Sequence, residues 1–172
     1  MHQLFITVIS LLVLLLPTNA YCNEIEDAHR ASQFYENAVK AAKHDDFKSA
    51  EEQLKQGKAI YSKHYPCARL YVDTWKDPSE SFLENAYDCI KKISTPKNDD
   101  EASMISYAYI GLGTSYGDGI IVEYDYNKTM EYFSKALQVS NTYEDMITDI
   151  MLLLKQKEAA LKCPTCVVND SK

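Results

Sequence analysis

Glycine is scarce in this chain, with five residues among 172, and histidine scarcer still, with four. No glycine-rich phosphate loop, Gly-x-Ser-x-Gly nucleophile elbow or His-Glu-x-x-His zinc motif can be read along it. His2, His29, His44 and His64 stand apart and form no catalytic grouping. Alternation of apolar and polar residues, the mark of a half-buried strand, is almost absent, which argues against a sheet-based fold. A basic stripe is also missing: 25 Asp and Glu against 18 Lys and Arg leave a formal net charge of −7. Lys and Arg neutralising phosphates supply most non-specific affinity for nucleic acid, so no nucleic-acid partner is expected. Anionic membrane surfaces are disfavoured for the same reason.

Long apolar runs are missing too, with one exception. Leu4 to Leu16 is almost continuously apolar and is followed by Pro17 and Thr18-Asn19-Ala20. The run is shorter than the ~20 residues of a membrane-spanning helix. Small residues at Thr18 and Ala20 suit cleavage after Ala20, so residues 1–20 are expected to be a secretory signal peptide. Tyr21 before Cys22 argues against a lipoprotein signal. After Ala20 no segment is long and apolar enough to span a bilayer, so the mature chain, residues 21–172, is expected to be soluble, without membrane insertion, and periplasmic or secreted.

What is present is helical periodicity. Asn23 can cap a first helix, with Glu24, Glu26 and Asp27 at its positive end; its stripe is Ala28, Ala31, Phe34 or Tyr35, Ala38 and Ala41. Asp46 starts a second helix carrying Phe47, Ala50, Leu54 and Tyr61. Pro66 suits the first turn of a third, ending near Trp75-Lys76. Asp77-Pro78 pairs a cap with proline at the first helical position; the fourth helix follows, with Phe82, Ala86, Cys89, Ile90 and Ile93. Thr95-Pro96-Lys97-Asn98 connects to a fifth helix over Asp99 to Tyr116, and a sixth spans Tyr126 to Val139. Thr142 to Asp145 reads as a capping box before a last helix, Tyr143 to Lys162, with the stripe Ile147, Ile150, Met151, Leu154 and Leu161. The expectation is an all-α domain of about seven helices arranged as stacked antiparallel hairpins.

The stretch from Leu112 to Ala136 carries the most specific pattern. Leu112, Gly113, Tyr116, Gly119, Val122, Asp125, Lys128, Tyr132, Lys135 and Ala136 resemble the Sel-one-like repeat, a relative of the tetratricopeptide repeat, over about residues 102–138. The resemblance implies that Gly113 lets two helices approach closely, that Gly119 takes a positive φ in the turn and that Asp125 caps the second helix. The chain departs from the pattern at Ile121, where a second turn glycine is usual, and at Thr129, where alanine is usual. A weaker tetratricopeptide-like unit covers about 31–62 through Ala38, Asp46-Phe47, Ala50 and Leu54, with Gly57 in place of alanine. A middle hairpin at 66–94 would supply the third unit, since stacked repeats need about three for stability. The resemblance implies a short α-solenoid that binds another protein or peptide, without catalytic residues, cofactor or metal.

Five cysteines make an odd set. Cys67 lies ten residues before Asp77 and Cys89 twelve after it. If the third and fourth helices fold back at Asp77-Pro78, a rise of 1.5 Å per residue brings the two cysteines to within about 3 Å of the same height. A disulfide between them is expected, contributing about 3 kcal/mol in the chain-entropy model. Cys163-Pro-Thr-Cys166, in the tail 163–172, has redox-dithiol spacing. It follows a helix end, where the dipole raises rather than lowers a thiol pKa, and no βαβ pattern surrounds it. A structural disulfide is the expectation, and a thiol-disulfide oxidoreductase the rival. Zinc would need two further ligands that no second motif supplies. Cys22 is free, pairs with Cys163 or Cys166, or joins two chains.

Thirteen tyrosines remain; Tyr35, Tyr107, Tyr109, Tyr124 and Tyr126 bracket the hairpins. Tyrosine joins contact area to a polar tip and favours interfaces. Stacking like that of the resembled repeats would place Tyr35, Val39 and Lys43, with Tyr107, Ile110 and Thr114, along a partner-binding groove. The function expected is an exported binding module, an adaptor of an envelope or secreted complex or an immunity protein neutralising a toxin. The acidic charge suits a basic partner.

Overall fold

The computed structural model describes residues 23–76 and 80–162. The calls on the signal peptide 1–20, on Cys22, on the Asp77-Pro78 cap and on the Cys163–Cys166 tail lie outside the described residues. Within them the chain is all-helical, without a strand. Helix α1 covers residues 23–42; α2 is Phe47–Ile60, α3 Tyr65–Asp73, α4 Glu80–Lys92, α5 Asp99–Asp118, α6 Tyr126–Val139 and α7 Glu144–Lys162. No described helix is long and apolar enough to cross a membrane.

The chain divides into two units, Met1–Ala68 and Arg69–Lys172. In the first, Ala31, Tyr35, Ala38 and Ala42 of α1 and Ala50 and Leu54 of α2 are buried. Small residues at helical spacing allow close contact, and a Cβ at Gly57 would lie 2.5 Å from the Tyr35 ring. Asp45 takes a positive φ of 60° after α1. Asp46 N–H donates to the Ala41 carbonyl and Asp45 N–H to that of Ala42, a left-handed C-terminal closure. Asp46 then caps α2 by accepting from the Ser49 N–H at 3.1 Å, and hydrogen bonding to the Ser49 side chain and then to its N–H holds the Asp46 carboxyl below the usual value.

In the second unit, α4 and α5 run antiparallel: Phe82 lies against Gly111, and the Cys89 Sγ lies 3.7 Å from the Met104 carbonyl. The pair α5 and α6 is antiparallel as well, with Gly113 against Phe133 and Gly117 against Thr129. Gly119 ends α5 with a φ of 74°, and Asp125 caps α6 through the Lys128 N–H. Ile110, Phe133, Ala136 and Ile147 form a buried cluster flanked by Tyr109, Leu137, Tyr143, Ile150, Met151 and Leu154. At the start of α5, Asn98 accepts from the Glu101 N–H while the Glu101 carboxylate accepts from the Lys97 N–H. This reciprocal capping satisfies two otherwise orphaned donors. Asp73, buried, is paired with Arg69 at 2.8 Å and accepts from Asn85.

Cys67 and Cys89 are both disulfide-bonded, the one pair at disulfide distance among the described residues, and both are buried. Leu161, expected in the core stripe of α7, is instead 61% exposed. Glu158 already meets Tyr124, which precedes α6, so one turn later Leu161 lies beyond the start of α6.

Candidate functional site

The six groove candidates fall in both units, and the structure separates them by burial. Tyr35 is 6% exposed; its hydroxyl donates to the Tyr61 carbonyl at 2.6 Å, and its ring occupies the space that Gly57 leaves open. Burial pushes its hydroxyl pKa well up. Ile110 is 6% exposed and belongs to the core cluster. The expectation that these two open onto a groove is corrected: each is taken up by its own unit's packing. Val39 and Tyr107 are half-buried, and Lys43 and Thr114 are exposed. Tyr107 stacks on Tyr71 with centroids 4.0 Å apart and planes at 19°, and its hydroxyl lies 2.9 Å from the Thr74 hydroxyl. Tyr71 in turn meets Tyr143 hydroxyl to hydroxyl at 3.1 Å. Desolvation raises the pKa of both Tyr71 and Tyr107. This trio ties α3, α5 and the segment before α7 together and leaves little ring surface for a partner.

The residues that do come together at the surface are Tyr87 of α4, Tyr109 and Tyr116 of α5, and Tyr132 of α6. Tyr109 and Tyr116 are two helical turns apart and so share a face. Tyr132 lies between them across the helix pair, 6.2 Å from Tyr109 and 5.7 Å from Tyr116, nearly parallel to both. The Tyr87 hydroxyl, on a residue 44% exposed, is 3.1 Å from that of Tyr132. Two ammonium groups cover the rings: Lys128 Nζ stands 4.6 Å from the Tyr116 centroid and Lys135 Nζ 5.3 Å from that of Tyr132. Lys128 also pairs with Asp125 at 3.9 Å, and Lys135 with Glu131.

Three of these groups, Tyr87, Tyr116 and Lys135, have raised pKa values. The Tyr87 pKa is raised first by desolvation and then by its bond to Tyr132. That of Tyr116 is raised first by its bond to Tyr87. Lys135 is held charged by Glu131. The face thus presents four tyrosine rings with two lysines over them, each lysine beside a carboxylate one turn away. Such an arrangement can stack on planar or apolar groups, exchange hydrogen bonds and receive a charged group from either side.

Among the repeat-pattern residues, Leu112, Gly113 and Ala136 are buried between helices, Tyr116 belongs to the aromatic face, and Gly119 and Asp125 shape the turn beneath it. An open cleft of about 390 Å³ lies between Asp99, Ala102 and the 137–142 segment. Its hydroxyls are already engaged: Thr142 Oγ1 is 2.9 Å from Ser103 Oγ and 2.8 Å from Ser140 Oγ. The aromatic face is thus the better candidate.

Sequence reasoning missed Tyr87 and Tyr132 as members of this face. The usable signal was the two-turn spacing of Tyr109 and Tyr116. No protein-family model matches this chain, and no curated protein or solved structure is significantly similar to it.

Proposed function

We propose that this chain is an exported protein-binding module and that Tyr87, Tyr109, Tyr116 and Tyr132 form its contact surface. One observation supports this above the others: four tyrosines from three helices meet at the surface with two lysines over their rings. Tyrosine and cation–aromatic groups dominate the energetics of protein interfaces. The partner is a protein or peptide of basic overall charge, drawn by the −7 net charge of the chain. An adaptor and a toxin-neutralising immunity protein use such a face identically and differ only in what they capture. The Sel-one-like resemblance agrees with binding rather than catalysis.

The test is capture of a partner from the host's envelope or secreted fraction, followed by calorimetric titration of the purified pair. Tyr87→Ala and Tyr132→Ala should each weaken binding by about tenfold or more, with unchanged circular dichroism. Affinity unaltered by both substitutions overturns the assignment of this face. A protein-thiol oxidation activity lost with Cys163→Ser/Cys166→Ser would instead favour the oxidoreductase reading.

A further inference from the structure

The row of residues four apart along α7 reads Asp145, Asp149, Leu153, Lys157 and Leu161, and all five are exposed. Leu153 is 64% exposed and Leu161 61%, with Met146 at 41% and Leu152 at 56% beside them. Apolar residues singly exposed are ordinary, but four along one helix make a patch. Residues at i, i+4 and i+8 form a continuous ridge, the feature that packs into the groove of a second helix.

The charges on this ridge are arranged unevenly. Both acids precede Leu153 and the lysine follows it. The helix dipole rewards acids at the start and bases at the end, but its effect fades within the terminal turns. Asp149 and Lys157 each lie five residues inside α7, beyond that reach. Asp149 also has no Lys or Arg three or four positions away on its own helix, where 145, 146, 152 and 153 are Asp, Met, Leu and Leu.

We infer that this ridge pairs with the same ridge of a second copy of the chain, antiparallel, about a two-fold axis at Leu153. Positions equidistant from Leu153 then face one another. Leu153 meets its own copy on the axis, Asp149 meets Lys157, and Lys157 meets Asp149. In such an isologous contact each favourable pair occurs twice. A parallel pairing would set acid against acid and lysine against lysine, so the charge pattern selects the antiparallel arrangement. A contact of one helix against another falls below the ~1,200–2,000 Å² of standard stable interfaces. The dimer is therefore weak and concentration-dependent. It uses neither the tyrosine face nor its partner, so the two proposals stand or fall separately.

Sedimentation equilibrium of the oxidised protein, from low micromolar to millimolar concentration, tests it. The unaltered protein should associate as a dimer, more weakly at high salt. Asp149→Lys and Lys157→Asp should each lower the association constant by about tenfold or more, since both symmetric contacts become repulsive. Combining the two should restore it, and circular dichroism should not change. Asp149→Lys is the cleaner single variant, because Lys157 Nζ also lies 5.0 Å from the Tyr124 ring centroid. A monomer at every concentration overturns the inference and leaves the ridge to a different occupant. Association indifferent to both reversals overturns the α7 surface.

Discussion

A Cβ placed on Gly113 would lie 2.7 Å from the Phe133 ring, and Phe133 is fully buried. The α5–α6 pair is therefore closed to a distance that no other residue at position 113 permits without movement. Gly113→Ala improves intrinsic helix propensity by about 1 kcal/mol but forces the ring or a helix to shift. A net loss of about 1–3 kcal/mol is expected from overpacking. Combined with Phe133→Leu, the loss should be smaller than the sum of the single effects, because the two sites share one space. Urea unfolding of the four proteins measures both quantities; strictly additive losses would show that the ring is not what position 113 meets.

Tyr35 and Gly57 form a similar pair in the first unit. The Tyr35 ring lies 2.5 Å from where a Cβ on Gly57 would be, so any side chain at position 57 meets it. Gly57→Ala should destabilise by about 1–3 kcal/mol. Tyr35→Phe keeps the ring but strips the Tyr61 carbonyl of its donor, at a cost of about 1 kcal/mol. The double variant Gly57→Ala/Tyr35→Leu should recover part of the loss, which denaturant midpoints at constant slope would reveal.

Asp45 adopts the left-handed conformation with a φ of 60° in the turn between α1 and α2. For an L-residue this region costs about 1–2 kcal/mol, and for glycine almost nothing. Asp45 is exposed, so replacing it removes no core packing. Asp45→Gly should stabilise the protein by about 0.5–1 kcal/mol, seen as a higher melting temperature by circular dichroism. A fall in melting temperature would mean that the Asp45 side chain supports the turn in some further way.

The helices were legible because their signals are local. Asp46 and Asp125 sit at caps, Gly119 sits where the backbone turns left-handed, and the order of elements follows from the 3.6-residue period. The Asn98–Glu101 pairing carries a cap-plus-glutamate pattern, whereas at Thr142–Asp145 the 142 hydroxyl meets Ser103 and Ser140 instead. Leu161 was misread because periodicity shows which way a residue faces but not where the neighbouring helix stops. Tyr35 and Tyr107 were read as groove residues for a related reason: composition marks tyrosine as interfacial but does not tell whether its own fold has already covered it. The aromatic face was mostly illegible, since Tyr87 and Tyr132 are 45 residues apart and only folding brings them together.

Cys67 and Cys89 are 1% and 0% exposed, so a reductant must wait for an opening of the structure to reach the bond. Thiol labelling after treatment with dithiothreitol should show Cys67 and Cys89 reacting slowly in the native protein and at once in denaturant. Cys67→Ser/Cys89→Ser should lower stability by about 3 kcal/mol, the value for closing a loop of this length. Rapid native reduction of this pair would show that the segments around it open readily.

Alkaline pH should unfold the protein through its tyrosines. Burial raises the pKa of Tyr35, Tyr71, Tyr107 and Tyr87 above the ordinary 10.0, and hydrogen bonding to Tyr87, with burial, does so for Tyr116. A raised folded-state pKa means that the native state holds the proton more tightly than the unfolded chain does. Its stabilising contribution is complete below pH 10 and is lost as the pH climbs toward the folded value. Tyrosinate absorbance should accordingly show a late second step, in which these five rings ionise only with the loss of helical circular dichroism. Tyr71→Phe should move that second step to higher pH, because it removes one ionisable group whose release favours unfolding. A single smooth titration near pH 10 with helicity intact would mean that these hydroxyls are reached by water in the folded state.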